Sequence, residues 1–76
     1  MFKNASMKVG KAIAEIRKAK EISQNKLSKL TNLNRGYIYK LENDQISPSV
    51  DMLERIAKEL NIKVSDIIIK AEINSK

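Results

Sequence analysis

The sequence predicts an all-α fold of five short helices. Apolar residues recur three and four positions apart along nearly the whole chain, which is the spacing of one helix face. Only two glycines and one proline occur in 76 residues, too few for the many turns of a β-rich fold. We therefore expect helices over about residues 7–20, 24–31, 35–42, 49–60 and 65–70.

The first three helices each show a start signal or an apolar face. The face of the first helix consists of Val9, Ala12, Ile13 and Ile16. Ser23 is a good N-cap for the second helix, whose apolar positions are Leu27 and Leu30. Asn32 tolerates the left-handed conformation that ends a helix, and Asn34 is placed to cap the third helix.

The last two helices follow a polar loop over residues 43–47. Pro48 fits at or just before a helix start, and Ser49 is an alternative cap. The predicted apolar stripe of the fourth helix is Val50, Leu53, Ile56, Ala57 and Leu60. Asn61 is a plausible stop, and Ser65 is expected to cap the fifth helix. We expect one domain over 1–76, with its core in 7–70 and a frayed tail at 71–76.

The composition of the chain argues against most kinds of catalysis and metal binding. The chain has no cysteine and no histidine, which removes thiolate chemistry, the commonest general base and the commonest metal ligands. No glycine-rich phosphate loop is present. We expect no enzyme, no metal and no cofactor. A chain without cysteine fits a cytoplasmic location, and no apolar run approaches a membrane span or a signal peptide.

The charge is strongly asymmetric along the chain. Residues 1–40 contain ten Lys/Arg and two Asp/Glu, whereas residues 41–76 contain five and seven. A basic half predicts a surface for a polyanion. Because residues 23–42 also form two short helices around a tight turn, we expect a helix-turn-helix whose second helix enters the major groove of DNA.

Five segments of the chain, with their spacing intact, resemble the XRE family of phage-repressor and Cro-like helix-turn-helix domains. They are Ile13-x-x-Ile16-Arg17, Ile22-Ser23-Gln24-x-x-Leu27, Tyr37-Ile38-x-Lys40-Leu41-Glu42, Pro48-Ser49-Val50-x-x-Leu53 and Ile56-Ala57-x-x-Leu60-x-Ile62-x-Val64-Ser65-x-Ile67. The resemblance implies a compact five-helix domain that binds double-stranded operator DNA, usually palindromic, as a two-fold homodimer. It implies a transcriptional regulator, and it favours a repressor over an activator.

The chain departs from the family pattern at four positions. Ser28 replaces a small residue and needs a backbone partner if buried, while Asn32 and Asp44 stand where the family usually has glycine. Gly36 lies where many relatives carry a base-reading side chain. Its lack of a side chain allows close backbone approach to DNA instead.

The expected DNA-binding residues lie on and around the third helix. Arg35 is the best candidate for reading a guanine, with a phosphate contact as the alternative. Gln24 opens the second helix, where its amide and free backbone N–H groups suit a phosphate. The remaining candidates are Asn34, Gly36, Tyr37, Tyr39, Lys40 and Asn43, with core packing as the alternative for the two tyrosines.

Two further pairs have other expected roles. The family resemblance implies a structural ion pair between Arg17 and Glu42. Ile67 and Ile68 fit the core, whereas Ile69 and Ile73 lie four residues apart and suggest an exposed dimer surface.

Three other functions fit the same residues. The chain fits an antitoxin that also represses its operon, or a restriction-modification controller. From another class, it fits a basic module that binds RNA without sequence discrimination.

Overall fold

The structure, a computed structural model, describes residues 8–75, and the regular elements in this range are all helices. They are α1 (Val9–Ala19), α2 (Gln24–Thr31), α3 (Arg35–Glu42), α4 (Val50–Glu59) and α5 (Val64–Asn74). The predicted all-α, five-helix fold is therefore confirmed. None of these helices is long and apolar enough to cross a bilayer.

Three helix starts are capped by the side chains that the sequence indicated. Ser23 Oγ accepts a hydrogen bond from Lys26 N at 3.0 Å, and Ser49 Oγ accepts one from Met52 N at 3.1 Å. Asn34 Oδ1 accepts from Gly36 N at 2.6 Å. Each cap satisfies a backbone donor that has no partner inside its helix, so α2, α3 and α4 begin at positions set by local sequence.

Within residues 8–75, four residues other than glycine have left-handed backbone conformations in the turns between helices. Asn32, Asp44 and Asn61 have φ of 59°, 56° and 60°, as their residue types allow. The fourth is Glu21, with φ of 59°, in the turn between α1 and α2. The sequence did not indicate this position, because glutamate has no particular tolerance for that conformation.

The observed helix bounds differ from the predicted ones mainly at the fifth helix. The N-cap of α5 is Lys63, whose backbone N–H donates to Asp66 Oδ2 at 2.9 Å, so the expected cap at Ser65 is wrong. The helix also extends to Asn74 instead of ending at 70. Buried Ala71 holds this last part of α5 against the core. The helix thus includes residues 71–74, which we expected to lie in a frayed tail, and residue 76 lies outside the described residues.

The other ends shift by one or two residues. Helix α1 begins at Val9, and its predicted start at residue 7 lies outside the described range. Ser49 caps α4 from outside, so that helix begins at Val50 and ends at Glu59.

The core is formed where α1 packs on α3 and α5, α2 packs on α3 and α4, and α4 packs on α5. Its largest fully buried side chains are Ile13, Leu27, Ile38, Leu41, Ile56, Leu60 and Ile67. Two apolar residues that we expected to face inward are exposed. They are Leu30, near the end of α2, and Val50, which is 66% exposed in the first turn of α4. This packing supports α3 from behind on two helices and leaves its opposite face uncovered.

Candidate nucleic-acid interface

The two faces of α3 are sharply different. Ile38 and Leu41 are fully buried and anchor the helix to the core. Arg35, Gly36, Tyr39 and Lys40 are exposed on the other side, with Tyr39 54% exposed. The outward face of α3 therefore carries two positively charged side chains, one tyrosine ring and one position without a side chain, Gly36. The alternative that Tyr39 packs in the core is wrong.

Tyr37 lies at the border between these two faces. It is half-buried and packs against the core cluster, unlike the other candidates on α3. Its ring therefore contributes to the packing that holds α3 in place, and only part of it reaches the surface.

The two asparagines that flank α3 are engaged with the backbone of the helix. Asn34 uses its Oδ1 as the N-cap acceptor, and Asn43 Nδ2 donates to Tyr39 O at 2.8 Å near the other end of the helix. Both side chains are exposed. Their observed contacts order the ends of α3.

Gln24, at the first position of α2, makes a contact that the sequence did not reveal. Its Nε2 donates to Glu42 Oε1 at 2.9 Å, so the amide is held by the last residue of α3. The two residues are 18 positions apart, and no local pattern relates them. The first residue of α2 and the last residue of α3 are thereby tied together.

The same carboxylate holds Arg17 of α1. Arg17 Nε donates to Glu42 Oε2 at 2.6 Å and Nη2 donates to Oε1 at 3.0 Å, while Nη1 donates to Ile22 O at 2.6 Å. The side chains of Arg17 and Glu42 are only 8% and 4% exposed. The expected structural pair is present, and it removes Arg17 from the accessible basic surface.

Two hydrogen bonds involve the segments directly before and after α3. Ser28 Oγ donates to Leu33 O at 2.6 Å, so this departure from the family pattern has the backbone partner that it needs. Gly10 N donates to Asp44 Oδ1 at 3.0 Å. A Cβ at Gly10 would lie 1.8 Å from Leu41 O. We did not foresee the need for glycine at position 10, since it arises only from the approach of α1 to the end of α3.

The exposed face of α3 offers hydrogen-bond donors and positive charge. Arg35 and Lys40 supply donors from α3, and the free N–H groups at the start of α2 lie beside Gln24. Within residues 8–75, no group of three or more acidic side chains is arranged to hold a metal ion. The arrangement suits an extended polyanion.

Helix α5, which packs on α1 and α4, carries a second exposed feature. Ile69 and Ile73 are 53% and 60% exposed, while Ile67 is buried. The C-terminal half of α5 is tied to α1, because Asn74 Nδ2 donates to Glu15 Oε1 at 2.7 Å and Lys70 Nζ lies 3.7 Å from the same atom. The two isoleucines thus stand on an ordered helix.

Similar proteins are found by sequence and by structure. The helix-turn-helix family model matches residues 13–67. The immunity repressor protein of Bacillus phage phi105 is 41% identical over 92% of this chain and 54% of its own length. The transcriptional regulator PuuR of Escherichia coli is 29% identical over 83% of this chain and 34% of its own length. The chain thus spans about half of one relative and a third of the other.

A solved structure agrees with these matches. The restriction-modification controller protein C.AhdI of Aeromonas hydrophila superimposes with a TM-score of 0.76 and 31% identity, over 80% of this chain and 92% of that one. The family model covers more than half of this chain, and the caps, the turn and the exposed α3 lie within the matched residues. The chain belongs to the helix-turn-helix family of the XRE type.

Proposed function

We propose that this chain binds double-stranded DNA sequence-specifically and regulates transcription, with α3 in the major groove. The observation that carries the proposal is the outward face of α3, where Arg35, Tyr39 and Lys40 are exposed on a helix braced by α1 and α2. A helix held in this way presents donors to base edges without first having to be ordered. Repression is the form of regulation that we favour, because the similar protein of Bacillus phage phi105 is named an immunity repressor.

The phosphate contacts are assigned to the start of α2 and to the ends of α3. Gln24 is held by Glu42 beside the unpaired N–H groups of α2, and such helix ends attract phosphate. Exposed lysines of the basic first half add attraction that is independent of sequence. We infer that the protein acts in the cytoplasm, together with the genes that it would regulate.

We assign dimerisation to α5. Ile69 and Ile73 form an exposed apolar pair on a helix that packs on α1 and α4. A two-fold dimer through this pair presents two copies of α3 to a palindromic operator with half-sites about one helical turn apart. The antitoxin and RNA-binding alternatives have no counterpart among the relatives described above.

Selection of bound duplexes from a random pool tests the proposal. We expect enrichment of one palindromic sequence, bound at least about 10³-fold more tightly than unrelated duplex at physiological salt. The logarithm of the binding constant should fall linearly with the logarithm of salt concentration. A pool without an enriched sequence, bound only through charge, would contradict sequence-specific regulation and favour the basic interaction module.

Molecular mass in solution tests the dimer. Ile69→Ser combined with Ile73→Ser should convert a dimer into a monomer and weaken binding to a full operator, because each half-site is then bound separately. Val50→Ser is the matched control, since Val50 is equally apolar and 66% exposed but lies on α4. A wild-type mass of one chain at micromolar concentration, or a dimer that survives both changes, argues against this surface.

A further inference from the structure

A hollow lies beside α3, where Gly36 provides no side chain. It has a volume of about 410 Å³ and is lined by Asn34, Gly36, Tyr37, Lys40, Ile46 and Ser47. The first four belong to α3 and its cap, and the last two come from the segment that joins α3 to α4. The hollow therefore adjoins the surface that we propose for DNA.

The floor and the rim of the hollow differ in chemistry. Tyr37 and Ile46 are half-buried and offer apolar surface. Lys40 lies one turn after Gly36 on the same helix face, and its ammonium is exposed. Asn34 Oδ1 is occupied by the cap, so its amide nitrogen is the donor that remains. The hollow thus combines an apolar floor with donors at the edge.

Position 36 contributes no side chain to the lining of the hollow, because it is glycine. Among the described residues outside its own helix turn, an added Cβ would approach only Asn34 Oδ1, at 2.9 Å. That oxygen is the end of a flexible side chain. An added Cβ would have to displace this cap oxygen, a smaller obstacle than the backbone oxygen beside Gly10, and the glycine leaves this side of the hollow without a side chain.

We infer that this hollow receives the edge of a thymine, with the 5-methyl group against Tyr37 and Ile46. In the major groove only thymine presents both an acceptor, O4, and a methyl group. Guanine presents acceptors without an apolar group, and cytosine presents a donor that would face Lys40. The inference rests on the proposed function, and it makes Gly36 a specificity-determining position through the side chain that it lacks.

The test removes single methyl groups from the duplex enriched from the random pool. Each thymine in turn is replaced by deoxyuridine, and the dissociation constant is measured for wild type and for Gly36→Ala. We expect one thymine in each half-site whose methyl removal weakens wild-type binding roughly fourfold, the effect of one buried methyl-sized group. Gly36→Ala adds a single methyl group beside the hollow, so the difference between the thymine and deoxyuridine duplexes should be smaller than in wild type.

Thermal unfolding of Gly36→Ala separates binding from folding. The variant should stay folded, because the higher helix propensity of alanine opposes the weakening of the Asn34 cap. If it unfolds, Ile46→Ala carries the same test by removing part of the floor, and the methyl effect should shrink. Tyr37→Phe keeps the ring and should retain the methyl effect.

Two results would overturn the inference. One is an enriched duplex in which no thymine is sensitive to loss of its methyl group. The other is a methyl effect that persists undiminished in Gly36→Ala and Ile46→Ala. In both cases an enriched sequence leaves the proposed function intact, whereas a pool without enrichment overturns the function itself.

Discussion

Arg17 and Glu42 are joined by two hydrogen bonds, Nε to Oε2 at 2.6 Å and Nη2 to Oε1 at 3.0 Å, although they are 25 residues apart. Glu42 is the last residue of α3, and its Oε1 also accepts from Gln24 at 2.9 Å. One buried carboxylate thus connects α1, the start of α2 and the end of α3. This connection holds α3 against the two helices that support it.

Arg17→Met should lower the free energy of unfolding by about 3–5 kcal/mol, because it leaves the buried Glu42 carboxylate without its cation. Denaturant unfolding measures the loss. The control is Lys18→Met on the same helix, where the side chain is exposed and little change is expected. Equal losses in the two variants would show that the pair is not important for stability. Replacing both Arg17 and Glu42 by apolar residues should cost less than Arg17→Met alone.

Gln24→Ala should weaken binding to operator and to random duplex alike, by about tenfold, because it removes a hydrogen bond to a charged phosphate. Glutamine is neutral, so the salt dependence should keep its slope. Filter binding at several salt concentrations measures both quantities, with Ser65→Ala as control, since Ser65 is exposed on α5. A shift in the preferred base at any position would argue against a phosphate contact.

Arg35→Ala should cost roughly 1–3 kcal/mol on the operator and relax the preference at one base pair, if Arg35 reads a base. Arg55→Ala is the matched control, since Arg55 is exposed on α4 rather than on α3. Selection of duplexes with each variant gives the preference directly. An equal loss on random duplex would assign Arg35 to a phosphate.

Gly10→Ala should destabilise the fold by about 1–3 kcal/mol, because its Cβ would lie 1.8 Å from Leu41 O and force α1 away from α3. The hydrogen bond from Gly10 N to Asp44 would also be strained. Gly36→Ala is the internal control, because its Cβ meets only the end of the Asn34 side chain. Thermal unfolding of both variants makes the comparison, and similar melting temperatures would contradict it.

Glu21→Gly should raise the free energy of unfolding by roughly 0.5–1 kcal/mol, because glycine adopts the observed φ of 59° without the strain of a Cβ. Lys20→Gly at the preceding position, where φ is −92°, should lower stability instead. Chemical denaturation of the two variants tests the sign. A loss of stability in Glu21→Gly would mean that the glutamate side chain contributes more than its backbone strain costs.

Local features of the fold were predictable because they depend on neighbouring residues. Caps at Ser23, Asn34 and Ser49 satisfy donors only two or three residues away. The left-handed turns at Asn32 and Asn61 follow from residue type. The prediction failed at the fifth helix, where Ser65 looked like a cap and the extension to Asn74 depends on burial of Ala71 and on a distant partner, Glu15.

The amino-acid sequence by itself determined the five helices, the turn between α2 and α3 and the family, since helical spacing and capping act over a few residues. Only the tertiary structure decided which side chains share Glu42, why position 10 must be glycine and that a hollow lies beside Gly36. These features arise between helices that are distant in the chain. Their distances follow from how the core packs, and no local pattern records them.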